Sequence, residues 1–321
     1  MSNIIFQQIH QQINSADNIL IVSHQKPDGD ACGSTLSMAS YIKSLGKNAV
    51  VFNVNPAPAY FDFLPGIENV SNDNNILNNK WDLIIVLDSG DLNHTKVDLD
   101  VFDSAPIINM DHHFSNHRFG NINCVDDLAS STCEIVYKFL KSINFNIDKN
   151  TATCLLCGIL NDTSVFSNGA TTIDSMNISS HLVSKGARIH KINDKVVKNK
   201  SINGLRLWGE VLSRLKNDDE FKIAHTYIKE EEYQKYQINE EELDGLIDFL
   251  NIICDANIYA LFRINENHTT VSMRTTRDDI DVSRIAQING GGGHKKAAGF
   301  TIDSALGEDD DLLSFLKKGL K

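Results

Sequence analysis

Four segments of this sequence hold imidazoles and carboxylates at spacings that could do chemistry. They are His24-x-x-x-Asp28-x-Asp30, the isolated Asp88, the triplet Asp111-His112-His113, and Asp162. Several carboxylates cannot share one crevice uncompensated, because buried like charges repel strongly. Divalent metal is the simplest compensation. Two ions about 3.5–4 Å apart, bridged by one carboxylate, would use the whole set. One ion would take His24, Asp28 and Asp88, and the other Asp30, Asp88, His112 and Asp162, so Asp88 is the expected bridge. The mixed donors suit Mn²⁺ better than Mg²⁺, which prefers all-oxygen octahedra with retained water. Asp111 reads as a partner that orients an imidazole, and Asp91 in LDSGD as a solvated loop carboxylate.

Any one of these segments alone would be weak, since a lone DGD is commonly a solvated turn and a lone His–His pair lies commonly at the surface. Their shared placement makes the argument. NILIVSH leads into His24, WDLIIVLD ends at Asp88 and PIINMDHH ends at the triplet. Short runs rich in Ile and Val read as buried parallel strands. In open α/β sheets the carboxyl ends of such strands converge on one crevice, where ligands bind. Pro27 and Gly29 shape the loop that carries Asp28 and Asp30.

The remaining elements follow the same alternation. Residues 1–17 read as an amphipathic helix and 31–45 as a second, stopped by Gly46. NAVVFNV is a further strand and 53–65 a loop. Helices are expected over 130–141 and 151–161, the second delivering Asp162. Alternating strands and helices predict an α/β fold with a doubly wound parallel sheet. A basic, polar stretch from about 185 to 202 reads as an inter-domain connection. Beyond it, FKIAHTYI, NIYALFRI and HTTVSMRT are strands of a second, smaller α/β domain with a glycine-rich loop.

That loop holds Gly290, Gly291, Gly292 and Gly293, followed by His294, Lys295 and Lys296. Glycines let backbone N–H groups converge on one point as an anion nest. Arg274, at a predicted strand end, could add a bidentate clamp on phosphate. The competing reading is a flexible linker with solvated lysines.

Composition narrows the partners. A formal net charge of −12 over 321 residues argues against coating long nucleic acid. A small phosphorylated ligand in a local basic pocket remains compatible. The six cysteines read as reduced, packed thiols. Cys154-x-x-Cys157 lies in an apolar helical stretch and lacks a second pair to finish a zinc site. No apolar run approaches the roughly 20 residues needed to span a bilayer. The N-terminus shows no signal-peptide pattern, so a cytoplasmic protein without membrane contact is expected.

HQKPDGDACGS, VLDSGD, MDHH and GILNDTSVF together resemble the signature segments of the DHH phosphoesterase superfamily, and IDVSRIAQINGGGGHKKAAGF resembles its DHHA1 domain. The resemblance implies a DHH domain over 1–185, a linker over 186–204 and a DHHA1 domain over 205–321. It implies two Mn²⁺ per chain on His24, Asp28, Asp30, Asp88, His112 and Asp162. His113 would face the attacked phosphoryl group, so it and Asp88 are the expected catalytic residues. Arg274, Gly291, Gly292, Gly293 and His294 would grip the substrate.

Within the superfamily the chain is most similar to the stand-alone nanoRNase/pAp-phosphatase branch. The substrates implied are short 5′-phosphorylated RNA, cut to mononucleotides, and 3′-phosphoadenosine 5′-phosphate (pAp), converted to AMP. Some near relatives act on linear or cyclic di-AMP. A family II inorganic pyrophosphatase shares the metal segments but closes its site with a basic RKK-type segment absent here. A processive exonuclease would need further nucleic-acid-binding domains. A catalytically inactive module for adenine dinucleotides fits poorly with a full ligand set. The assembly is open between a monomer and a homodimer.

Overall fold

The computed structural model describes residues 3–197, 200–243, 245–253, 255–306 and 312–317, with the side chains of 197, 240, 241, 252, 253 and 294 left aside. The chain divides into two units, Met1–Lys198 and Asn199–Lys321.

The first unit runs α1 (Asn3–Ser15), β1 (Asn18–Val22), α2 (Gly29–Ser44), β2 (Asn48–Phe52), β3 (Leu83–Leu87), α3 (Leu99–Phe102), β4 (Ile107–Asp111), β5 (Ile122–Val125), α4 (Thr132–Ser142), α5 (Lys149–Asp162), α6 (Ile173–Ser184) and α7 (Ile189–Ile192). Its strands form one parallel sheet in the order β2-β1-β3-β4-β5. Every residue of β3 and β4 is buried, as expected of strands covered on both faces. Strand order reverses between β1 and β3. That is the switch point at which a doubly wound sheet opens its ligand crevice.

One face of the sheet packs under α1, α2, α4 and α5, where Phe6, Tyr41, Phe139 and Leu156 belong to the main core. The other face is closed by Phe52, Trp81, Phe102 and Ile107. Gly33 brings α2 close to α5, since a Cβ there would run into the carbonyl of Cys154. Cys32, Cys124, Cys133, Cys154 and Cys157 are buried and not disulfide-bonded. Burial pushes the Cys154 thiol up to about 12, so this packed sulfur stays protonated. Cys254 lies outside the described residues.

The second unit runs α8 (Ile202–Ser213), β6 (Lys216–Asp218), β7 (Ile223–Lys229), α9 (Glu230–Tyr236), α10 (Leu246–Ile253), β8 (Ile258–Ile264), β9 (Thr269–Arg274), α11 (Val282–Ile288), β10 (Gly292–His294), β11 (Ala297–Ile302) and α12 (Leu313–Lys317). Its mixed sheet has the order β10-β11-β9-β8-β7-β6. The chain is thus an α/β protein with a doubly wound parallel sheet and a second α/β unit. Of the segment expected as a connection, Ala187 and Ile192 lie in the core of the first unit. Helix α8 already opens the second at Ile202. No helix of the described residues is long and apolar enough to cross a membrane.

Candidate metal centre

The crevice is built from the carboxyl ends of β1, β3 and β4. His24 follows β1, and its Nδ1 lies 2.7 Å from the Gln25 carbonyl oxygen. A ring held this way presents Nε2 to the crevice, where it lies 3.4 Å from Asp88 Oδ2 and 3.9 Å from Asp28 Oδ1. Asp28 is the N-cap of α2, accepting the N–H groups of Asp30 and Ala31 at 2.9 and 3.0 Å. Asp30 is wholly buried in the first turn of the same helix. Both its oxygens accept backbone N–H groups, from Thr132 at 2.6 Å and Cys133 at 2.8 Å. These are orphan donors of the first turn of α4, whose dipole favours a carboxylate there.

Asp88 is buried just past β3 at φ +56°, a left-handed conformation that Asp tolerates better than most side chains. Thr132 Oγ1 donates to its Oδ1 at 3.1 Å. Beyond β4, His112 Nε2 lies 3.2 Å from Asp162 Oδ2 and 3.7 Å from Asp88 Oδ1, and the ring hydrogen-bonds the backbone of Ala129. Asp162 closes α5. The chain then passes Ser164, Val165 and Phe166 at φ +47°, +57° and +65°. Such conformations cost about 1–3 kcal/mol each for non-glycine residues and persist only where surrounding structure enforces them.

His113 Nδ1 donates to Asp111 Oδ1 at 2.6 Å and lies 3.8 Å from Asp88 Oδ1. The second Asp111 oxygen accepts from Asn116 Nδ2 at 2.6 Å. Asn116 also bonds Asn109 Oδ1 at 2.8 Å, so a chain of polar side chains fixes the turn that follows the triplet.

Among the described residues, three groups of donor atoms lie within 4.8 Å of one another: His24 with Asp28 and Asp88, Asp30 with His112 and Asp162, and Asp88 with His112 and His113. The first has the members expected for one ion, and the second has those expected for the other except Asp88, which groups instead with His112 and His113. Electrostatics mark the set as short of positive charge. Burial, then the charges of Asp88 and Asp28, hold the Asp30 carboxyl well above the ordinary range. Burial, then Asp30, Asp28 and Asp88, do the same to Asp162. Burial works against protonated His24, yet its bond to Asp88 and the charges of Asp88 and Asp28 raise it to about 10. Burial likewise opposes protonated His113, and Asp111 lifts it to about 9. His112 moves down, chiefly through burial. A divalent pair fits these donors, because it would neutralise carboxylates that otherwise hold protons against their nature.

Sequence reasoning missed the residues that hold the candidate ligands. Thr132 and Cys133 clamp Asp30 from over a hundred positions away, and Ala129 and Gln25 steer imidazoles. Only the S-S-T-x-E run before α4, a helix-start signal, hints at the clamp. Asp91 is more than a solvated carboxylate. It caps the turn 92–95 and lies 3.0 Å from His117 Nδ1.

Arg274 and the glycine run lie in the second unit. Arg274 Nε donates to Asp248 Oδ1 at 2.8 Å and Nη1 to the Met273 carbonyl at 3.1 Å. The glycine run differs from the open loop expected. Gly290, at φ +80°, and Gly291 donate to the carbonyls of Gln287 and Ala286 at 3.0 and 2.8 Å, a Schellman stop for α11. Gly292, Gly293 and His294 then form β10, paired with Gly299, Ala298 and Ala297 of β11. Ala297 also pairs with Arg274, so the backbones of His294 and Arg274 stand in one row of the sheet, a strand apart. The side chain of His294 lies outside what is described.

Residues 18–159 match the model of the DHH family, N-terminal domain, and residues 209–321 that of the DHHA1 domain. The chain belongs to the DHH family of phosphoesterases, in the form that carries a DHHA1 domain. It is 30% identical over 285 residues to the bifunctional oligoribonuclease and PAP phosphatase NrnA of Thermus thermophilus, covering 88% of this chain and 84% of that protein. The protein of the same name from Bacillus subtilis is 24% identical over 309 residues, 95% of each chain. An exopolyphosphatase-related protein from Bacteroides fragilis superposes with a TM-score of 0.89 at 26% identity, over 99% of this chain and 96% of that one. RecJ from Thermus thermophilus, solved in complex with Mn²⁺, shares the fold at a TM-score of 0.53 and 13% identity, over 98% of this chain and 53% of its own.

Proposed function

We propose that this phosphoesterase hydrolyses short 5′-phosphorylated oligoribonucleotides to mononucleotides and pAp to AMP, using two Mn²⁺ ions. The observation that carries the reading is the donor set itself. Six side chains, from the ends of β1 and β4 and from α2 and α5, gather around Asp88, and relatives matched over most of their length are named for those two activities. His24, Asp28 and Asp88 would hold one ion and Asp30, Asp88, His112 and Asp162 the other. Bound ions would polarise the phosphoryl oxygens and make water a better nucleophile near neutral pH.

The chain's own residues then do the positioning. His113, kept protonated by Asp111, offers its remaining N–H to a nonbridging oxygen of the attacked phosphoryl group, where charge builds as the bond to the ribose O3′ breaks. The backbone clamp from α4 and the caps on α2 fix the carboxylates before substrate arrives, which lowers the reorganisation needed at the reacting centre. Arg274 and the segment Gly291–His294 are the proposed grip of the second unit on a further phosphate or nucleotide end. Both family activities present a phosphorus on O3′ of a 5′-phosphorylated nucleotide, so one site serves both. With a net charge of −12, affinity does not grow with strand length as it does on an extended basic track.

The test is Mn²⁺-dependent phosphate release from pAp and from pyrophosphate, with cleavage of pApA followed by chromatography. Turnover of pAp and pApA is expected. Hydrolysis of pyrophosphate alone would replace this reading with the pyrophosphatase one.

A further inference from the structure

Two turns frame the donor set, and each carries a large apolar side chain that the fold leaves in water. The turn after β4 is closed by Asn116 N–H donating to the His113 carbonyl at 3.1 Å, with Phe114 at its tip. The turn after β5 is closed by Ala129 N–H donating to the Asp126 carbonyl at 3.1 Å, with Leu128 at its tip. Strands β4 and β5 are parallel neighbours, and the Asp126 N–H bonds the Asp111 carbonyl at 3.1 Å. Both turns therefore rise from the same end of the sheet. One begins at His113 itself, and the other ends at Ala129, whose backbone holds the His112 ring.

Leu128 and Phe114 are the most exposed large apolar side chains among the described residues, at 83% and 81%. Neither turn is loose. Asn116 bonds Asp111, Asn109 and the Ser89 carbonyl, and accepts from the Arg118 N–H. Asp126 Oδ1 accepts from Leu128 N–H. A rigid turn that holds an aromatic ring in water one residue past His113 has its ordering cost met before any ligand binds. A ring held this way offers a π-face at low entropic cost, which is how proteins that bind single-stranded nucleic acid hold bases without reading their sequence.

We propose that Phe114 is a specificity-determining residue: the platform on which a base next to the scissile phosphate stacks, with Leu128 as an apolar neighbour on the same rim. The class of ligand recognised is a planar purine or pyrimidine. The proposal rests on the nucleotide reading above and adds which part of the substrate the first unit grips. Stacking is sequence-tolerant, so Phe114 separates nucleotides from baseless phosphoesters rather than one base from another.

The test compares wild type with Phe114→Ala, Phe114→Leu and Phe114→Tyr, loaded with Mn²⁺, on pApA and on the analogue in which hydrogen replaces the base beside the cleaved bond. Metal content of each variant is measured alongside. Phe114→Ala and Phe114→Leu are expected to raise KM for pApA roughly tenfold, the scale of one lost base stack. They should leave kcat, bound metal and the KM of the baseless analogue near wild type, while Phe114→Tyr, which keeps the ring, stays close to wild type on both. Equal effects on the two substrates, or a Leu variant as good as wild type, would overturn the platform while leaving the nucleotide reading standing. A wild-type enzyme inactive on pApA would overturn the nucleotide reading, and the platform with it.

Discussion

Two adjacent histidines are divided between two carboxylates: His113 Nδ1 lies 2.6 Å from Asp111 Oδ1, whereas His112 Nε2 lies 3.2 Å from Asp162 Oδ2. Asp111 is wholly buried at the end of β4, and Asn116 occupies its other oxygen. It is committed to orienting His113, while His112 is left among the donors shared with Asp30 and Asp162. In the proposed function one imidazole serves the substrate and its neighbour the metal.

Asp111→Asn should therefore separate turnover from metal binding. The amide can still contact the ring but cannot stabilise its charge. kcat on pAp should fall about 10- to 100-fold, the usual cost of removing such an orienting partner. Bound metal, measured by elemental analysis, should stay at the wild-type level. Unchanged kcat would take His113 out of the mechanism.

Removing metal should make stability fall as the solution becomes alkaline. A histidine whose folded pKa is raised stabilises the fold below its unfolded value and loses that contribution as pH rises through the raised one. His24, at about 10, and His113, at about 9, both do this above their ordinary 6.5. The raised carboxyls of Asp30 and Asp162 act in the same direction, since their folded forms prefer the proton. Asp88 and His112 are shifted down, and their contributions are already complete above neutral pH. Tm of chelator-treated protein should drop steadily between about pH 7 and 10, and that of Mn²⁺-saturated protein should drop less, because the ions displace those protons. Parallel curves for the two forms would contradict this electrostatic account.

Packing behind the site makes a sharper claim. A Cβ on Gly158 would lie 2.6 Å from Asp30 Oδ1 and would also run into Cys133 Sγ. Gly158→Ala should destabilise the fold by about 1–3 kcal/mol, as overpacking usually does, and weaken metal binding by displacing Asp30. Gly209, inside α8, meets nothing within 4 Å, so Gly209→Ala should be neutral or stabilising by up to about 1 kcal/mol. Thermal denaturation of the two variants side by side checks both signs.

In the second unit, Arg274→Ala and His294→Ala should raise KM for nucleotides while leaving metal content intact. Arg274 already bonds Asp248 at 2.8 Å, which holds its guanidinium in place, so Asp248→Ala should weaken binding in the same direction and by less. Unchanged kinetics in all three would return the glycine run to a purely architectural role.

The gathering of these donor side chains was legible in the sequence because buried parallel strands announce themselves as Ile/Val runs, and their ends fall at one edge of the sheet. What lay beyond the strand ends was not. The clamp on Asp30 joins residues far apart in sequence, and only the packing of α4 against α2 brings them together. Strand β5, only four residues of INCV with mixed burial, has too little pattern to stand out. The run Gly290–Gly293 reads as an anion nest or a linker, and its role in ending α11 shows only in the hydrogen bonds of Gly290 and Gly291. Phe114 and Leu128 are apolar by type, and their exposure follows from turns that the sequence does not spell out.

Asp88 is the most direct test of the central claim, since its carboxylate faces His24, His112 and His113 at once. With one bridging carboxylate gone, two cations would face each other less compensated. Purified Asp88→Ala should be folded by circular dichroism, bind less Mn²⁺ than wild type at equal free metal, and show no measurable release of phosphate from pAp. Near wild-type turnover in Mn²⁺ would contradict the dinuclear assignment.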